Sequence, residues 1–135
     1  MRDLDINKIK SIFESFLAVK SAYIFGSRVA GKAVKNSDYD FAVLFGDGTS
    51  KEDRFDLKLK LMAKLSSALG TDAVDVVILN DLSSLFFKYI IIKEGKLMYQ
   101  KSELEAAEFE SRTLGLYFDF IPFMEEYNRN YLMKN

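Results

Sequence analysis

The chain has 135 residues, 49% of them hydrophobic and 29% charged, which is the size of one globular domain with a real core. Nineteen basic against twenty acidic side chains leave a formal charge of -1, so no global field draws it to nucleic acid or an anionic membrane, and any polyanion must be held locally. Cysteine and histidine are both absent, which excludes disulfides, thiolate zinc, cysteine nucleophiles and the usual neutral-pH base; carboxylates, lysines, tyrosines and hydroxyls remain, and carboxylate sites favour hard cations such as magnesium or manganese.

Taken in chain order, Met1 to Asn7 is charged and lacks the apolar core of a secretory signal. Ile6, Ile9, Phe13 and Phe16 recur at spacings of three and four and predict an amphipathic first helix. Ala22 to Phe25 reads as a buried strand that stops at Gly26. From Asp38 to Phe45 the chain alternates, with Asp38, Asp40, Ala42 and Leu44 on one side and Tyr39, Phe41, Val43 and Phe45 on the other, as a second strand requires. Gly46-Asp47-Gly48 breaks it. Phe55, Leu59, Met62, Leu65 and Leu69 then form a helical stripe that Gly70 can close in a left-handed cap.

Ala73 to Leu79 predicts a third strand. Asp81 to Ser84 offers capping side chains ahead of Leu85 to Lys93, and periodicity leaves Leu85 to Ile92 open between helix and strand. That stretch is far shorter than the roughly 20 residues of a membrane span. Gly95 and the alternation Leu97/Tyr99 indicate a stop and a fourth short strand, and Ser102 onward predicts two helices, with Pro122 starting the second. Strands separated by helices imply an α/β (α+β) fold: a small mixed sheet of about four strands flanked by helices, in one domain over residues 1–135 with a helical tail at about 102–135. Nothing indicates export or a membrane anchor, so a cytoplasmic protein is expected.

The chemistry concentrates between Gly26 and Asp40. Gly26-Ser27 follows a strand, where backbone N–H groups and a hydroxyl can face an anion, and Arg28, Lys32 and Lys35 add positive charge with no acid before Asp38. Residues two apart on a strand point the same way, so Asp38 and Asp40 project together. At about 4 Å and an effective dielectric near 20, such a pair repels by on the order of 4 kcal/mol, which a divalent cation can offset. Asp75 is the single charge in the strand Val74 to Leu79, a costly position for an unmatched acid. If that strand lies beside the Asp38–Asp40 strand, three carboxylates converge, a set suited to two cations flanking an in-line phosphoryl displacement. A Gly-Ser pair or an Asp-x-Asp alone is an ordinary turn or strand end; the combination at this spacing is specific.

Gly26-Ser27, residues 28–37 and Asp38-Tyr39-Asp40 resemble the nucleotidyltransferase superfamily of DNA polymerase beta, whose motif is Gly-Ser, ten residues, and Asp-x-Asp on a strand, with a third acid on a neighbouring strand. Ser37, Phe41, Lys93-Glu94-Gly95 leading into Leu97-Met98-Tyr99, and the aromatic tail extend the likeness to the minimal nucleotidyltransferases, antitoxin partners of HEPN-domain toxins. The resemblance implies a nucleotidyltransferase fold and AMP transfer from ATP to a protein hydroxyl, a tyrosine of a HEPN RNase toxin. Asp38, Asp40 and Asp75 would be the catalytic and metal-holding residues for two Mg2+ ions, with Mn2+ an alternative. Gly26, Ser27, Arg28 and Ser37 would bind the nucleoside triphosphate. Many members carry a second arginine where this chain has Ala30, so one phosphate contact is missing or comes from Lys32 or Lys35. The other readings are a non-catalytic antitoxin that neutralises by complex formation, with Phe118, Phe120, Phe123, Tyr127 and Tyr131 as the partner face, and nucleotidyl transfer to a small-molecule hydroxyl. No extended nucleic-acid surface and no membrane contact are expected.

Overall fold

The computed structural model of the chain describes residues 6–26 and 38–132. Helix α1 (Ile6–Glu14) buries Ile9 and Phe13, and the chain then enters strand β1 (Val19–Phe25). Strand β2 (Tyr39–Phe45) pairs antiparallel with β1, bringing Phe25 opposite Asp40 and Tyr23 opposite Ala42. Helix α2 (Lys51–Leu69) is capped by the Ser50 hydroxyl, which accepts from Asp53 N–H, and closed by Gly70 at φ 69°, the left-handed stop expected from the sequence. It returns the chain to strand β3 (Val74–Ile78), parallel to β2.

A single turn of 3₁₀ helix (Leu79–Asp81) and helix α3 (Leu85–Glu94) follow. The open stretch Leu85 to Ile92 is thus helical, begun by Ser84 accepting from Phe87 N–H at 3.1 Å. Gly95 ends it by close approach, since a Cβ there would collide with the Ile91 carbonyl oxygen and lie 3.1 Å from that of Ile24. Strand β4 (Lys96–Gln100) then pairs antiparallel with β1, completing a mixed sheet in the order β3-β2-β1-β4.

Period 2 divides the sheet into two apolar faces. Phe41, Val43 and Phe45 join Phe13, Leu61 and Leu65 under α1 and α2, with Phe13 edge-on to Phe41 at 5.7 Å. Tyr23, Ala42, Leu79 and Ile91 form the other core, under α3 and the last helix. Asn80 holds the far end of β2 by accepting from Phe45 N–H and donating to its carbonyl, both at 2.9 Å.

Two expectations are corrected. On α2 the covered line is Leu57, Leu61 and Leu65 with Met62 and Leu69, while Phe55 and Leu59 are exposed. Apolar residues occur on two lines of this helix, and only the sheet decides which is buried. The tail is one helix, α4 (Glu103–Tyr127), with Pro122 inside it, followed by a π-helical turn at Asn128–Leu132. Proline costs the helix the bond to the Phe118 carbonyl and crowds that oxygen with its ring, but Phe118 lies on an exposed side, and about five turns already formed propagate through.

Candidate active site

Backbone pairing places the site. In the parallel ladder of β2 and β3, Asp40 is the direct partner of Asp75, so the two carboxylates lie on neighbouring strands at the same level and on the same side of the sheet. Asp38 stands one residue before β2 and, by the same period, on that side as well. Asp40 is half-buried, whereas Asp38 and Asp75 are exposed. This side is the one carrying Ala42 and Leu44, towards α3.

The electrostatics register the crowding. Burial first, then the charge of Asp38, then that of Asp75, push the Asp40 carboxyl above the ordinary carboxylate value of 3.8. The three acids therefore share one region of negative potential. Asp75 Oδ1 accepts from Val76 N–H at 2.9 Å, which turns one of its oxygens back to its own strand. Among the described residues no three acidic side chains are gathered into a closed cation-holding cluster. The donor set nevertheless fits magnesium or manganese in kind: hard oxygens, with no sulfur or imidazole in the chain.

Gly26 ends β1 beside them, at φ 87°. A Cβ on Gly26 would lie 2.6 Å from Asp40 Oδ2, so glycine here both permits the left-handed turn and leaves space for the carboxylate. The sequence pointed to Gly26 as an approach for phosphate; its role in clearing room for Asp40 depends on the β1–β2 register and has no local signal. Ser27, Arg28 and Ser37, with Ala30, Lys32 and Lys35, lie outside the described residues.

One layer further in, the Tyr23 and Ser21 hydroxyls are fully buried without a hydrogen-bond partner. Burial, then the Glu110 charge, raise the Tyr23 phenol above its usual range, and burial also raises the Glu110 carboxyl. Sequence reading did not single out these groups, since no spacing relates β1 to α4.

The family described as polymerase beta, nucleotidyltransferase, matches residues 7–104. Protein adenylyltransferase MntA of Shewanella oneidensis is 31% identical over 118 residues, spanning 87% of this chain and 80% of that protein. The fold is similar to a chain in the crystal structure of a toxin-antitoxin with AMP-PNP, at a TM-score of 0.74 and 26% identity over 97% of this chain and 100% of that one. It is also similar to a chain in the structure of a tri-AMPylated Shewanella oneidensis HEPN toxin in complex with MNT antitoxin, at a TM-score of 0.67 and 25% identity over 99% and 100%. With the match running from α1 into the start of α4 and taking in every strand, the chain belongs to the polymerase beta nucleotidyltransferase family.

Proposed function

We propose that this chain transfers AMP from ATP to a tyrosine hydroxyl of a HEPN-type RNase toxin and so acts as its antitoxin. The observation that carries the reading is the in-register pairing of Asp40 with Asp75 beside the glycine turn at the end of β1. Adenylyltransferase relatives, and similar structures with AMP-PNP or a tri-AMPylated HEPN toxin, support ATP as the donor and a HEPN toxin as the protein modified.

Asp38, Asp40 and Asp75 would hold two magnesium ions, which, when bound, supply charge neutralisation for the triphosphate. Gly26 leaves the space in which the Asp40 carboxylate sits, and Ser27, Arg28 and Ser37 would orient the phosphates. Asp75, whose Oδ1 accepts from Val76 N–H, would also help activate the incoming hydroxyl. The acceptor oxygen bonds to the α-phosphorus, the bond to the β-phosphate oxygen breaks, and pyrophosphate leaves. Positioning and electrostatics provide most of the acceleration in such a transfer.

A second reading, neutralisation by complex formation alone, draws on the exposed aromatics of α4. ATP labelled at the α- or the γ-phosphate, incubated with magnesium, this chain and its toxin, separates the cases. Label from the α position on the toxin, lost in Asp40→Asn, is expected. Label from the γ position, or no label while the toxin is still silenced, defeats the proposal.

A further inference from the structure

We propose that the distal half of α4 is a docking face for an α-helix of another protein, one whose apolar seam is bordered by lysines and arginines. The inference deepens the antitoxin reading by naming the surface and the chemistry of what covers it.

Helix α4 has 25 residues, about 37 Å of length, and only its first part is covered. Ala106, Thr113 and Tyr117 are buried, and Phe109 packs on the core of Tyr23 and Ile91. At 3.6 residues per turn the same line continues through Phe120, Ile121, Met124 and Tyr127, with Leu116 and Phe123 along one edge. Yet Leu116 is 53% exposed, Phe120 45% and Phe123 69%. Phe120, Phe123, Met124, Tyr127 and Asn128 border a groove of about 320 Å³. Pro122 falls on the opposite side of the helix and does not interrupt the stripe. A contiguous apolar face at spacings of three and four is what another helix packs into.

Charge selects the occupant. Between Arg112 and Arg129, which stand at the two ends of the stripe, the charged residues are Asp119, Glu125 and Glu126, with no lysine or arginine among them. Helical geometry sets Asp119 and Glu126 along the Phe123 edge and Glu125 along the other, so the stripe has an acidic border on both sides. A second copy would set three acids against three, and an anionic membrane would be repelled in the same way. A helix with a basic border is attracted, and its Lys or Arg stems can cover the rim while its apolar seam fills the groove.

The test uses the full chain and two synthetic helical peptides of about three heptads, with leucine at the seam and either lysine or glutamate at the flanking positions. Fluorescence anisotropy without ATP should show the lysine peptide binding at least about tenfold tighter than the glutamate peptide. Phe123→Ala should weaken it by about tenfold or more, with an unchanged circular dichroism spectrum. The double variant Asp119→Lys/Glu126→Lys should reverse the preference, which an unfolded helix could not do. Equal binding of both peptides, no binding of either, indifference to Phe123→Ala, stronger binding to anionic phosphatidylglycerol vesicles, or sedimentation of the chain as a dimer that Phe123→Ala dissolves would each overturn the proposal. Because no nucleotide enters the assay, failure of AMP transfer leaves this result standing, and failure here leaves transfer standing.

Discussion

The two sides of the sheet are built for different ends. Under α1 and α2, Phe13, Phe41, Val43, Phe45, Leu61 and Leu65 interlock, and among the described residues no carboxylate or cation is buried with them. The side towards α3 and α4 has a smaller core, around Tyr23, Ala42, Leu79 and Ile91, and it carries Asp40, Asp75, two unpartnered hydroxyls and half-buried Glu110. One sheet thus segregates packing from chemistry, because alternate residues of the same strand face opposite ways. Asp40 and Phe41 are neighbours in sequence and belong to different enterprises. The lesson is that stability and activity should separate on substitution.

The strongest break is expected on the packed side. Phe41→Ala should cost about 3–5 kcal/mol in denaturant unfolding, while transfer per folded molecule survives. On the other side, Asp40→Asn should lower kcat by roughly 10²–10³ and leave the midpoint of unfolding unchanged or slightly higher in the absence of divalent ions, since a crowded charge has been removed. If both variants lose stability and activity together, the two faces are not independent.

A third change lies at their boundary. Gly26→Ala places a methyl against Asp40 Oδ2 at a left-handed φ, so a destabilisation of about 1–2 kcal/mol should accompany a loss of transfer on the order of tenfold or more. The smallest effect concerns pH. The Glu110 carboxyl is raised by burial, so the folded chain holds this proton more tightly than the unfolded chain does. Its contribution is therefore complete below the ordinary glutamate value of 4.5 and is lost as pH rises through the folded value. Glu110→Gln should flatten that part of the stability profile. An unchanged slope in chemical denaturation across the window would remove Glu110 from the account.

Much of this was legible in the sequence where local rules govern. Alternation over Asp38 to Phe45 and the Gly70 cap specify elements from their own residues, whereas Leu85 to Ile92, open between helix and strand in the sequence, became a helix only in the fold. The adjacency of Asp75 to Asp40 was a condition the sequence could pose and the parallel β2–β3 register met. What escaped depended on partners distant in the chain. The buried line of α2 is chosen by the sheet, and the Tyr23–Glu110 proximity by the docking of α4 on β1. Pro122 misled because its usual place is a helix start, whereas a long preformed helix tolerates one lost bond on an exposed side.

The most direct measurement of the shared carboxylate site is titration of paramagnetic Mn2+ with a non-hydrolysable ATP analogue, read by the loss of free-ion signal. Wild type should bind the ion, and Asp40→Asn and Asp75→Asn should each weaken binding on the order of tenfold or more. Undiminished binding in Asp75→Asn would contradict a site built across β2 and β3.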